Sequence, residues 1–345
     1  MLGISVYFQD LNEEYLKKAA ECHAKYIMTS LQIPEEDYSD LDKKLPSFFQ
    51  LIDELGMELI PDVSEETFHK LGLEAGNFKS LKEKGFKRIR LDYGFDDVPT
   101  LKKLLEDFDI VVNASIVDEK LLQDLQNADI DMSRIWAMHN FYPRKDTGLA
   151  REQVIEKNKL LHRYGMRVQA FVCGDDLKRF PLYEGLPTLE EHRYTHPLAA
   201  TIDLIKHCEV DDVLVGDSQA EIATLQAMSS YIYQKTVLLP VYLNEQYQHL
   251  YNQVLHCRKE SSVNVVRITT PRVTGIQPRH NHYRRKGSIT IDNELMGRYC
   301  GEIQLMKKNM PLDARCNVIG FIHPDYVDML GDIDSHVDVQ FVKLA

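Results

Sequence analysis

The chain has 345 residues, of which 44% are apolar and 27% charged, a globular composition long enough for one large domain and a small one. Its formal net charge of −12 argues against nucleic acid or an anionic membrane surface as the main partner. No apolar run approaches the roughly 20 residues needed to cross a bilayer, and Met1-Leu2-Gly3 leads straight into strand-forming residues rather than a leader, so a cytoplasmic location is expected.

Apolar, β-branched stretches alternate with helical ones over the first 236 residues. Strands are expected at Ile4–Phe8, Tyr26–Leu31, Glu58–Ile60, Arg88–Leu91, Ile110–Val112, Ile135–Met138, Arg167–Val172 and Asp212–Val215. Helical patterns between and after them include Asn12–Ala24, Leu45–Leu55, Glu152–Tyr164 and Gln219–Gln234. Eight strand-then-helix units predict a (β/α)8 TIM barrel over 1–236. The first turn, Phe8-Gln9-Asp10-Leu11, lacks the glycines of a dinucleotide site, and there is no phosphate-binding P-loop. From 237 to 345 strand-like segments separated by turn signals predict a small, mostly antiparallel β domain.

In a barrel the C-terminal ends of the strands converge on one mouth. Those ends deliver Asp10, Glu35 or Glu36, Asp62, Asp92, Asn113, His139 with Asn140, Gln169 with Asp175, and Asp217. Carboxylates so placed suit acid–base chemistry. An Asp after a strand also serves as a turn former or helix cap, which is the favoured reading for Asp10 and Asp217. Arg90 and Asp92 stand two apart on one strand, so both point into the mouth and can pair. Neither H-x-H nor H-E-x-x-H is present, so no catalytic metal is expected. The six cysteines are scattered without a C-x-x-C, consistent with reduced thiols that fill cores; Cys173 as a nucleophile is disfavoured.

The segment after strand six, His139 to Leu149, and the long loop after strand seven carry the densest chemistry. Tyr142 and Tyr183 offer faces to a sugar, and Glu184 an acid. Thr188-Leu189-Glu190-Glu191 reads as a helix-starting capping box. Arg144 and Lys145 are cations for an anionic substrate. The second domain adds Arg272, Arg279, His280, His282, Arg284, Arg285 and Lys286, a run that is either a solvated surface loop or, through Arg279, a phosphate holder.

Four segments resemble one bacterial family: His139-Asn140-Phe141-Tyr142-Pro143-Arg144 with Thr147-Gly148-Leu149; Pro181 to Glu190; Arg90 to Phe95; and Gly287 to Asn293. It is the family of the 6-phospho-N-acetylmuramidases, glycoside hydrolase family 170, once labelled an outer surface protein. Lys145 departs from its pattern, which commonly has Pro there. The resemblance implies a TIM barrel followed by a cyclophilin-like β domain. It also implies cytosolic cleavage of N-acetylmuramic acid 6-phosphate from N-acetylglucosamine in peptidoglycan recycling, with no cofactor.

Glycosidases use two carboxyl groups, near 5 Å apart for retention and about 6.5–9.5 Å for inversion. Asp92 and Glu184 form the leading pair, with Asp62 and Asp217 in reserve, and Glu184 is expected to be the acid through apolar surroundings. The expected substrate-binding set is Arg90, Asn113, His139, Asn140, Tyr142, Tyr183 and Gln169. Arg144, Lys145 and Arg279 are expected at the phosphate. The 2-acetamido group of such a substrate is a rival nucleophile. Two alternatives stand beside this reading: a non-catalytic phosphosugar-binding or sensing protein, and a hydrolase of a different 6-phosphodisaccharide. An aldolase is disfavoured, because no strand ends in a Schiff-base lysine. The partner is a small-molecule phosphodisaccharide, and the β domain is a candidate self-association surface.

Overall fold

The computed structural model describes residues 1–31, 41–74, 76–91, 97–260 and 262–344. Asp92, Glu35 and Glu36 lie outside the described residues. The chain divides into two compact units, Met1–Gln226 and Ala227–Ala345, a division that falls within the last helix of the barrel pattern.

Eight short strands make up the first unit's sheet: β1 (Leu2–Ser5), β2 (Ala24–Ser30), β3 (Glu58–Val63), β4 (Arg88–Leu91), β5 (Asp109–Asn113), β6 (Ile135–Met138), β7 (Arg167–Val172) and β8 (Asp212–Val215). Each pairs in parallel with the next, and β8 pairs with β1, so the sheet closes as a TIM barrel. Closure leaves no edge strand. The helices are α1 (Glu13–Glu21), α2 (Leu41–Glu54), α3 (Glu65–Lys70), α4 (Phe78–Glu83), α5 (Val98–Leu104), α6 (Glu119–Asn127), α7 (Arg151–Arg163), α8 (Pro197–His207) and α9 (Ile222–Gln234). Two of them, α3 and α4, follow β3.

The first strand ends earlier than its apolar run predicts. Ser5 is its last residue, and Phe8–Asp10 forms a 3-10 turn. The Tyr7 hydroxyl leaves the ladder and donates to the Gly216 carbonyl at 2.6 Å. Helix α9 begins three residues later than expected, after Asp175 has accepted the Glu221 N–H at 2.9 Å and the Thr224 hydroxyl at 2.7 Å.

Alternation along the strands fills the barrel in layers. Tyr26, Met28, Ile60, Val111, Met138, Phe171 and Leu214 form the apolar middle, with Trp136 and Phe141 packed against it. At the strands' N-terminal end the lining turns polar. Arg88 lies 3.6 Å from the Trp136 ring centroid and pairs with Glu58 (2.7 Å) and Asp109 (3.1 Å). Arg167 pairs with the fully buried Asp212, to which Gln169 Nε2 also donates at 3.1 Å. Gln169 therefore belongs to the barrel's closed end. Gln169 shares the inward phase with Phe171 but lies one layer deeper, beneath that ring, so its expected reach to substrate is corrected by depth along the strand.

The second unit holds β9 (Thr236–Leu243), β10 (Val254–His256), β11 (Val265–Arg267), β12 (Ser288–Asp292), β13 (Ile303–Met306), β14 (Cys316–Ile322) and β15 (Asp338–Lys343). They form one sheet in the order β10-β15-β9-β14-β12-β13-β11. Only the β9–β15 pair among its ladders is parallel. The three-residue β10 has one buried side chain and gives no sequence signal. The basic run is not uniformly a surface loop. Arg284 is buried, with Nε donating to the Pro311 carbonyl at 3.0 Å, and Lys286 pairs with Asp328.

Gly3 sits on β1 where a Cβ atom would meet Leu214 Cγ at 2.6 Å. Gly3→Val should overpack the middle layer and cost about 2 kcal/mol. Denaturant unfolding followed by tryptophan fluorescence reads this directly, since Trp136 is the chain's one tryptophan.

Candidate active site

The two-residue period that places Ile60 in the apolar layer sends Asp62 one step nearer the mouth, and the same step on β4 leads from Arg88 to Arg90. Both side chains are buried, and Arg90 Nη1 donates to Asp62 Oδ1 at 2.5 Å. The other end of the guanidinium, Nη2, donates to Asn140 Oδ1, beyond the end of β6. Asn113 closes β5 at the same end and accepts the Ser115 N–H at 3.0 Å. Four expected residues, Asp62, Arg90, Asn113 and Asn140, thus stand at the mouth, three of them joined by hydrogen bonds. The desolvation cost of a buried ion pair is offset only when its remaining polar atoms are also bonded, and Asn140 helps to meet that need.

His139 is turned the other way. It follows Met138, which faces the barrel, so its ring lies on the helix side against α7. Its Nε2 is 2.7 Å from Asn158 Oδ1, and Asn158 Nδ2 donates to the Cys208 carbonyl at 2.6 Å. Because Asn158 Oδ1 can only accept, Nε2 carries the proton. Burial pushes His139 down to about 4, so the ring is neutral at pH 7. Its expected contact with substrate is replaced by a structural role.

The two densest loops are stitched together. The Tyr142 N–H donates to the Pro187 carbonyl (3.0 Å) and Leu149 N–H to Thr188 (2.9 Å), while Glu190 N–H returns to Leu149 (3.1 Å). Arg193, 2% exposed, holds the seam. Its Nε and Nη2 grip the two Glu190 oxygens at 2.6 Å each. Its remaining protons go to the carbonyls of Gly185 (3.0 Å), Tyr142 (3.0 Å) and Arg144 (3.2 Å). Glu190 in turn accepts the N–H groups of Asp146 (3.0 Å) and Gly148 (2.7 Å). A Cβ on Gly148 would lie 2.7 Å from Glu190 Oε2, which explains the glycine. The expected capping box at Thr188 is absent: its hydroxyl accepts the Phe171 N–H at 2.9 Å and donates to the Asn140 carbonyl at 3.0 Å, and Glu191 pairs with Arg151 at 2.7 Å. Helix α8 instead starts after His196, whose ring accepts the Leu198 N–H at 3.2 Å.

Asp217 is almost wholly buried, and its carboxylate accepts the main-chain N–H groups of Gly174 (2.8 Å), Arg179 (3.0 Å) and Leu186 (3.3 Å). Through these bonds it anchors the β7 loop. Asp10 accepts the Ser218 hydroxyl at 2.8 Å. Glu184 is exposed on the rim and accepts the Lys145 N–H at 3.0 Å; the apolar enclosure expected around it is not there. Tyr183 is 60% exposed with a left-handed backbone at φ 55°, and Tyr142 is half-buried. Arg144 and Lys145 are exposed, and Lys145 Nζ lies 5.8 Å from the Tyr194 ring centroid. Arg279 belongs to the second unit, where its N–H donates to Asn317 Oδ1 at 3.0 Å.

Cys173 is buried, and desolvation raises its thiol to about 12, which removes it as a nucleophile. Glu191, His192 and Asp203 bring ligand atoms within 4.8 Å of one another. Their cation is Arg151, at 2.7 Å from Glu191 and 2.8 Å from Asp203.

Sequence reasoning missed Arg193 and the true role of Glu190, although their i, i+3 spacing was a signal. It also missed Arg179. That side chain lies over the rings of Tyr7 (4.8 Å to centroid), Phe141 (5.8 Å) and Phe180 (5.8 Å), and nothing in its local sequence announces it.

The Arg193 guanidinium holds Glu190 down to about 2, from an ordinary 4.5. A depressed carboxylate stabilises the fold above its unfolded value and loses that contribution as pH falls through its folded one. Stability should therefore drop between about pH 4.5 and pH 2, and Glu190→Gln should flatten that part of the curve. Arg193→Met, by leaving Glu190 unpaired, should cost about 3 kcal/mol at pH 7. Thermal unfolding across pH measures both.

Comparison with known proteins bears on both units. The family model described as 6-phospho-N-acetylmuramidase, N-terminal, matches residues 2–230, and the corresponding C-terminal model matches 237–342. No curated protein matched. Among solved structures, a conserved Enterococcus faecalis protein of unknown function is 30% identical with a TM-score of 0.85, over 99% of this chain and 96% of that one. An uncharacterized B. cereus protein is 26% identical with a TM-score of 0.77, over 99% of both chains. With models matching its barrel and its β domain alike, the chain belongs to the 6-phospho-N-acetylmuramidase family.

Proposed function

We propose that this protein is a glycosidase that releases N-acetylmuramic acid 6-phosphate from a phosphorylated disaccharide with N-acetylglucosamine, a cytoplasmic step in the reuse of cell-wall sugars. The observation that carries the proposal is the buried Asp62 fixed by Arg90 and Asn140 at the barrel mouth. Family membership supplies the substrate class.

Asp62 is the carboxylate that faces the developing positive charge at the anomeric carbon. Arg90 orients it, and the amides of Asn140 and Asn113 hydrogen-bond the 2-acetamido group and neighbouring hydroxyls. Asp92, two residues beyond Arg90 on the same strand parity, remains the proposed second mouth carboxylate from the sequence. Glu184 on the rim serves as the proton donor, its carboxylate tied to the β6 loop by the Lys145 N–H that it accepts. Tyr183 stacks on a sugar face, and Arg144 with Lys145 draws the anionic substrate in.

Incubation with the phosphorylated disaccharide, beside the same compound lacking phosphate, should give mass-spectrometric products from the phosphorylated form only. Asp62→Asn should lower kcat by about a thousandfold while the folded state persists. Saturable thermal stabilisation by phosphosugars without any product would instead make the protein a binder.

A further inference from the structure

We infer that Arg179 is the residue that anchors an anionic group of the bound sugar, an inference that rests on the phosphosugar reading above. The chain carries 53 acidic against 41 basic residues, so carboxylates are in excess. Yet among the described residues Arg179 has no ion-pair partner, whereas its neighbour Lys178 donates to the Gly174 carbonyl and approaches Asp217 to 3.7 Å. What surrounds the Arg179 guanidinium is aromatic: Tyr7 after β1, Phe141 after β6 and Phe180 in the β7 loop. Ring faces attract a cation without neutralising it. They also fix the plane of the fork, which leaves its edge as a preset bidentate cradle for an oxyanion.

The place is right as well as the charge. Phe141 packs edge-on against Phe171 of the barrel's apolar layer, with centroids 5.1 Å apart, so a cation over Phe141 lies on the mouth side. The Arg179 main chain, in the loop after β7, is pinned by Asp217, two residues past β8, and its side chain lies over rings that follow β1 and β6. In barrel enzymes the loops after β7 and β8 frequently hold phosphate. Nε is enclosed and makes no hydrogen bond, while the residue as a whole is only half-buried. An oxyanion arriving at the open end would meet the Nη groups.

The sugar named above has two oxyanions, a phosphate and a lactyl carboxylate. Titration calorimetry with three ligands separates them: N-acetylmuramic acid 6-phosphate, N-acetylglucosamine 6-phosphate (phosphate alone) and N-acetylmuramic acid (carboxylate alone). Arg179→Gln should weaken the first by about 10- to 100-fold. It should also weaken whichever single-anion ligand carries the group that Arg179 holds, and leave the other unchanged. Arg179→Lys should recover part of the loss, since it keeps the charge and loses the fork. If Arg179→Gln fails to fold, Arg179→Met keeps an apolar stem against the rings and takes its place. Wild-type affinity in the variant for all three ligands overturns the inference. Failure of the wild-type protein to bind any of them overturns the phosphosugar reading itself, a separate outcome.

Discussion

Arg193 carries its charge where water scarcely reaches, and the shape of the barrel mouth depends on how that charge is met. Six oxygens receive its protons: both of Glu190 and the carbonyls of Glu184, Gly185, Tyr142 and Arg144. Four of these oxygens lie on the β7 loop and two on the β6 loop. A buried guanidinium left unbonded would cost several kcal/mol, so neither loop can part from the other without paying that penalty. The seam converts two long polar segments into one rigid rim, and it does so with main-chain acceptors that any side chain at those positions would provide. Glu184, Lys145 and Tyr183 are thereby positioned by a residue that itself faces away from solvent.

Under the rim, the strand period does the sorting. Each inward position is apolar at mid-barrel and polar at both ends, but the two polar ends are built differently. The closed end is crowded with paired charges: Arg88 with Glu58 and Asp109, and Arg167 with Asp212. At the mouth end, among the described residues, Arg90 bridges a carboxylate and an amide, and Asp217 lies beneath main-chain N–H groups and the Lys178 ammonium.

The eight-strand barrel was legible because each strand is a short apolar run with a turn residue after it, and five of the eight were located to within a residue at each end. The β domain was legible as a set of strands, while β10 was too short to register. At the site, Arg90 lies on the inward phase that alternation predicts, and Asp62, expected just past the end of its strand, lies within β3. His139 falls on the outward phase, and Gln169, though inward, lies a full layer too deep. Arg179 was invisible for a different reason. Its partners, Tyr7 and Phe141 among them, are distant in sequence, and only the closed barrel brings them together, whereas Arg193 had the nearby Glu190 to announce it.

Asp62 and Asp217 show how two buried carboxylates at one mouth come to differ in what they can do. Asp217 is met by three main-chain N–H groups of the loop that follows β7. Those donors are main-chain groups of one loop, so they cannot move without rearranging the loop itself. Asp62 is met by the side chain of Arg90, which is shared with Asn140. On the proposed mechanism Asp62 faces the substrate, already fixed by Arg90 before the sugar arrives, as a charge-stabilising group must be, whereas Asp217 is held by the loop that it anchors.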